Sequence, residues 1–116
     1  MENKFKNKLT FEKRKQESTN ISKKYPGRIP IIVQKHCDSK LPEVDKCKYL
    51  VPKDMTMGQF LFVIRKRIKL EPSHALFITI NCKLTTASKT VGEVYSDEQD
   101  EDGFLYVIYS NENVFG

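Results

Sequence analysis

A chain of 116 residues has room for one domain with a modest core and not for a second folded unit. Its 39% hydrophobic and 30% charged residues exclude both a disordered tail and a membrane-embedded composition. The net charge of +5 is unevenly spread: residues 1–28 hold nine Lys or Arg against three Glu, a local +6, while Asp97, Glu98, Asp100, Glu101 and Asp102 form an acidic cluster. Basic surface of this kind suits anionic lipid headgroups, acidic peptides or nucleic acid, and charge alone does not choose among them.

The first 24 residues read as one weakly amphipathic helix with Phe11, Ser18, Ile21 and Tyr25 near one face. Pro26, Gly27 and Pro30 forbid its continuation, and the alternation of Ile29, Ile31 and Val33 predicts a strand over residues 28–36. After the polar connection Asp38 to Asp45, Lys48 to Val51 reads as a second strand closed by Pro52, forming a hairpin with the first. Pro52 lacks an N–H for a ladder, and with Lys46 and Lys48 it marks this strand as a sheet edge open to an added peptide strand.

Thr56 is the expected N-cap of the clearest helix, where Met57, Phe60, Leu61, Ile64 and Ile68 recur at helical spacing. Phe60, Val63 and Arg67 make a second line beside that stripe, suggestive of a groove wall. Leu76 to Ile80 predicts an interior strand, Val91 to Tyr95 a short helix and Phe104 to Tyr109 a last strand. The expected class is therefore α+β, a ubiquitin-like β-grasp with an N-terminal helical extension. It divides into a helical arm packed on the core (1–26), the core (27–110) and a flexible tail (111–116).

The longest apolar runs, Ile29 to Val33 and Ala75 to Ile80, fall far short of the roughly 20 residues of a membrane-spanning helix, and no apolar leader is expected. Cys37, Cys47 and Cys82 contain no C-x-x-C pair, which suits reduced thiols in the cytoplasm. His36, His74 and the cysteines lack the spacing of a metal site or a nucleophile with its base, so no metal, cofactor or catalytic residue is expected. The acidic stretch reads as a solvated loop with no site, and the N-terminal basic run reads either as a solvated helical face or as a direct contact with lipid or a partner, with no single lysine given a role. No nucleic-acid motif accompanies the positive charge, and nucleic acid is not an expected partner.

Several segments together resemble a known family. They are Phe11-Glu12-Lys13-Arg14-Lys15, Lys24-Tyr25-Pro26, Arg28-Ile29-Pro30, Lys48-Tyr49-Leu50-Val51-Pro52, Gly58-Gln59-Phe60, Ile64-Arg65-Lys66-Arg67-Ile68, Asp102-Gly103-Phe104-Leu105-Tyr106 and the terminal Tyr109 to Gly116. In that order they are similar to the autophagy ubiquitin-like modifiers, which include the GABARAP and microtubule-associated light-chain proteins. The resemblance implies a non-enzymatic modifier whose last glycine, Gly116, is activated by ubiquitin-like activating and conjugating enzymes and joined to phosphatidylethanolamine on autophagosomal membranes. It also implies a cysteine protease that processes or releases the modifier, with a cytoplasmic monomer when unconjugated. A glycine carboxylate suits this chemistry because no side chain obstructs a narrow enzyme channel, and adenylation makes it an electrophile for a thiolate.

By the same resemblance, a groove accepts W/F/Y-x-x-L/I/V peptides of cargo receptors and autophagy machinery. Glu17, Ile21, Pro30, Ile32, Lys48, Leu50 and Phe104 match its aromatic pocket, and Tyr49, Val51, Pro52, Met55, Phe60, Val63 and Arg67 its aliphatic pocket. Arg28 and Lys46 match contacts to acidic flanking residues. Without the resemblance, Phe60, Val63, Leu50 and Phe104 would read as ordinary core. Met55 and Val63 stand where the family commonly has leucine, Thr10 where it has proline, and Leu84-Thr85-Thr86 where it has a proline pair. A peptide-binding adaptor in trafficking or cytoskeletal tethering that is never conjugated is the alternative reading.

Overall fold

The computed structural model describes residues 3–112. Two helices lead the chain, α1 (Lys4–Lys8) and α2 (Phe11–Lys24), followed by β1 (Arg28–Lys35) and β2 (Lys48–Pro52). Then come α3 (Met57–Arg67), β3 (Phe77–Ile80), β4 (Lys83–Leu84), α4 (Val91–Glu98) and β5 (Leu105–Ser110).

The single leading helix expected from the sequence is broken at Leu9 and Thr10. Leu9 is extended, and the Thr10 hydroxyl accepts the Lys13 amide to cap α2, as Asn3 does for α1 through Lys6. A threonine there provides a cap that competes with helix continuation. Of the four residues expected on one face, Ser18 is buried and Ile21 half-buried, whereas Phe11 and Tyr25 are 43% and 40% exposed.

The five strands run in the order β2-β1-β5-β3-β4, with β1 and β5 parallel at the centre and the other pairs antiparallel. β2 lies at the open edge, paired only with β1, and the hairpin register sets Pro30 against Leu50 and Ile32 against Lys48. Strand β4 was not expected. It folds back on β3 through Asn81 and Cys82, whose φ values of 50° and 65° are those of a primed hairpin turn usually signalled by Asn-Gly.

Alternation on β1 and β2 divides the interior into two layers. Ile29, Ile31 and Val33 join Tyr49 and Val51 beneath α3, whose Met57, Phe60 and Ile64 are buried, and α4 adds Val91 and Val94 on the same side. The opposite face of the sheet carries Ile32 and Phe104, covered by Phe5 of α1 and flanked by Leu9, Ile21 and Tyr106. Both covering helices on the first side start in capping boxes, Thr56 with Gln59 and Thr90 with Glu93, which satisfy otherwise orphaned amides. A helix crossing one face of a mixed sheet with the long hairpin at its edge is the expected β-grasp.

Candidate functional site

The free edge of β2 separates two groups of predicted site residues by the side to which they point. Lys48 and Leu50 face the α2 side with Pro30 and Ile32, their register partners on β1. α2 brings Glu17 and Ile21 to this side, and Phe104 arrives from the residue before β5. The Lys48 ammonium pairs with the Glu17 carboxylate across the gap between strand and helix. All seven residues expected in the aromatic pocket therefore share one face of the molecule.

Phe5 belongs with them and was not singled out from the sequence. Its ring meets Phe104 edge-on at 5.4 Å and 77°, and the Lys48 ammonium lies 5.6 Å from its centroid. Ile32 and Phe104 are 0% and 1% exposed beneath it. They form the floor, while Ile21, Leu50, Lys48 and Glu17 retain accessible surface.

On the other side of the edge, Tyr49 and Val51 point toward α3. The Tyr49 ring meets Phe60 edge-on at 5.9 Å, and Phe60 itself has no exposed surface. Met55 and Val63 are half-buried against the same core, and Pro52 is exposed at the end of the strand. Lys46 and Arg67 approach the Tyr49 ring at 5.3 Å and 6.0 Å, and Arg67 also pairs with Asp45 at 3.7 Å. Burial pushes the Tyr49 phenol above its ordinary pKa against the opposing pull of Arg67. Arg28 stands opposite Pro52 and points its guanidinium at the Leu50 carbonyl, 3.5 Å away. Arg28 and Lys46 thus flank the two ends of β2.

Parts of the acidic stretch and two members of the basic run, Lys6 and Arg14, are not fully solvated, while the other basic residues of the arm are exposed. Asp102 is completely buried: one carboxylate oxygen accepts Arg14 at 2.6 Å together with the Tyr106 hydroxyl, and the other accepts the Phe104 amide at 2.9 Å. Its carbonyl accepts the Ser18 hydroxyl, and the Arg14 side chain also donates to the Leu9 carbonyl at 3.2 Å. Burial, reinforced by the bond to Asp102, raises the Tyr106 phenol well above its ordinary pKa. Lys6 pairs with Asp100, and Asn81 and Lys83 both bond Glu98. The contacts of Lys6, Arg14 and Ser18 fasten α1 and α2 to the core and hold Phe5, Glu17 and Ile21 beside Phe104, whereas the Glu98 bonds tie the β3–β4 turn to α4.

Gly103 makes the close approach of α2 possible. Its φ is +89°, and a Cβ there would run into the Ser18 hydroxyl and lie 3.1 Å from the Ser18 Cβ. At the far end of β1, donor atoms of His36, Cys37 and Asp38 lie within 4.8 Å of one another, but His36 Nδ1 already accepts the Asp38 amide at 3.1 Å. Gly116, the expected conjugation residue, lies outside the described residues. Among the described residues, no helix is long and apolar enough to cross a membrane.

A family model described as "Autophagy protein Atg8 ubiquitin like" matches residues 13–116. The chain belongs to the Atg8 family. It is 53% identical over 116 residues to Autophagy-related protein 8 of Candida glabrata, covering 100% of this chain and 98% of that protein. To Autophagy-related protein 8e of Arabidopsis thaliana it is 55% identical over 106 residues, 91% of this chain and 87% of the plant protein. The crystal structure of Trypanosoma brucei ATG8 superposes with a TM-score of 0.91 at 43% identity over 95% of each chain. The ubiquitin-like fold and the autophagy family expected from the sequence are therefore established, and membership places this Atg8 relative among ubiquitin-like modifiers of autophagy.

Proposed function

We propose that this chain is conjugated through Gly116 to phosphatidylethanolamine on autophagosomal membranes and, once there, recruits cargo receptors and autophagy machinery through the β2 edge. The observation that carries the recruiting half is one open strand whose alternate residues face an aromatic cluster on each side, with cations at both ends. An extended peptide pairing with β2 would place alternate side chains on opposite faces. An aromatic anchor would go toward Ile21, Leu50 and Phe104, and an aliphatic anchor toward Val51, Met55 and Val63. Arg28 and Lys46 would attract acidic flanks, so association should slow and weaken as salt rises.

The conjugating half is supported by the Atg8 match extending through residue 116. The chain supplies an acyl group and its enzymes supply the catalysis, first adenylating the Gly116 carboxylate, then holding it as a thioester and passing it to the lipid amine. Reconstitution with activating and conjugating enzymes, ATP and phosphatidylethanolamine liposomes tests this, with wild type and Gly116→Ala compared by mass spectrometry. A lipid adduct on the wild type alone is expected. With enzymes shown to be active, no adduct on the wild type would leave an unconjugated peptide-binding adaptor, and an equal adduct on Gly116→Ala would move the point of lipid attachment elsewhere.

A further inference from the structure

Beyond the two recesses, a cavity of about 420 Å³ lies where α1 crosses the start of β2. Phe5 of α1, Leu9 just after it and Val44 of the hairpin loop give it an apolar lining, and Val33 contributes from β1 with its side chain turned to the other face of the sheet. Lys4, Lys8 and Lys48 stand at its rim against the single carboxylate of Glu43. Glu43 is already approached by Lys4 and Lys35 at 3.8 Å and 3.6 Å, and Lys48 is taken by Glu17, so the rim remains net positive. Gln34 adds an unused donor: its Oε1 accepts the Phe5 amide at 3.1 Å, while its buried Nε2 has no partner among the described residues. A buried amide nitrogen without an acceptor is costly, and a ligand carbonyl or carboxylate reaching it would relieve that cost.

The cavity is continuous with the β2 edge. The hairpin ladder passes from the Ile32–Lys48 pair to the bond from the Val33 amide to the Cys47 carbonyl at 2.8 Å, and both Val33 and Cys47 line the cavity. In the proposed groove, the aromatic recess adjoins Lys48 and the aliphatic recess adjoins Val51 and Pro52. A peptide with its aromatic anchor first must therefore run in the same direction as β2. Its upstream residues are carried past Cys47 at roughly 3.3 Å per residue, and period-two alternation returns the residue two positions before the aromatic to the face covered by α1.

We propose that this cavity is a third subsite, which takes an aliphatic side chain two residues upstream of the aromatic anchor in an acidic peptide. The inference rests on the groove reading given above. The cavity interior takes the side chain, and the lysine rim with the Gln34 amide takes neighbouring carboxylates and carbonyls.

Calorimetry on the full chain tests it with two synthetic peptides that share an acidic aromatic-x-x-aliphatic core and differ only in Leu or Ser two residues upstream. The Leu peptide is expected to bind about tenfold tighter, the value of one buried aliphatic side chain less its ordering cost. Val44→Phe, which fills the cavity, should abolish that gain while leaving the Ser peptide unchanged, and that unchanged affinity also reports an intact fold. Lys8→Glu should weaken both peptides and flatten their salt dependence. Equal affinity of the two peptides for wild type, or a gain that survives Val44→Phe, overturns the third subsite while leaving the groove in place. Failure of both peptides to bind overturns the groove and the subsite together.

Discussion

Arg14→Met strands the Asp102 carboxylate, which has no solvent exposure, at the junction of α2 with the core. Removing one partner of a buried ion pair costs about 3–5 kcal/mol. The Tyr106 hydroxyl and the Phe104 amide still donate to Asp102, so the loss belongs near the lower limit, at about 3 kcal/mol. Adding Asp102→Asn removes the stranded charge yet keeps an acceptor for the Phe104 amide. The double variant should therefore recover to within about 1 kcal/mol of wild type, with a coupling of at least about 2 kcal/mol between the two sites. Urea unfolding at pH 7, followed by ellipticity for wild type, both single variants and the double, measures the cycle. A loss under about 1 kcal/mol for Arg14→Met, or a double variant no more stable than Arg14→Met, would refute the assignment of Arg14 and Asp102 as the anchor of the arm.

Gly103→Ala should cost about 2–3 kcal/mol, because an L residue is strained at positive φ and its Cβ meets Ser18. Unfolding curves superimposable on wild type would show that α2 moves aside freely. Leu50→Ala should weaken an aromatic-x-x-aliphatic peptide by about 1–3 kcal/mol with little effect on folding, since Leu50 is only half-buried. Unchanged affinity by calorimetry would place peptide binding elsewhere. Burial alone would raise the Asp100 carboxyl, but the Lys6 ammonium, the Asp102 amide and Arg14 outweigh it and hold its pKa below the ordinary 3.8. The stabilisation is therefore present above that ordinary value and disappears as pH falls through the lower folded value. Thermal midpoints of wild type and Asp100→Asn should differ steadily from pH 7 to about 4 and converge below that. A gap that widens on acidification would contradict the sign.

The parts of the fold that could be read from sequence are those with local signals. Thr56 and Gln59 form a capping box within four residues, and the apolar stripe from Met57 to Ile68 follows directly. Pro26 and Gly27 separate α2 from β1, and the alternation from Ile29 to Val33 places those residues on their two faces. The missed features lack such signals. A primed turn at Asn81 and Cys82 does not carry the expected glycine, so β4 passed as loop. The break at Thr10 is a contest between cap and helix that residue patterns alone do not decide. Arg14 and Asp102 are 88 positions apart in sequence, and each stands in a run of like charge that reads as solvated surface. The expectation of a groove came from the family resemblance alone, because alternation identifies Phe60 and Phe104 as core, where they are indeed buried.

The two expected pockets would depend on the arm to different degrees. Arg14, Glu17, Ser18 and Ile21 lie at i, i+3, i+4 and i+7 along α2, and so occupy one helical face. Two of these residues, Arg14 and Ser18, are tied to Asp102, while Ile21 packs on the Phe5, Ile32 and Phe104 cluster and Glu17 pairs with Lys48, where the aromatic pocket is expected. The bonds that set the rotation of α2 about its axis therefore also set where Glu17 and Ile21 stand. Tyr49, Val51, Met55, Phe60 and Val63 come from β2, α3 and the short link between them, and they pack into the main core cluster, whose members among the described residues all lie outside α1 and α2. The expected aliphatic pocket would consequently be a property of the β-grasp core itself. The expected aromatic pocket would depend on how the basic arm is fastened to that core, because the buried Arg14–Asp102 anchor and the close approach at Gly103 restrict how α2 can pack.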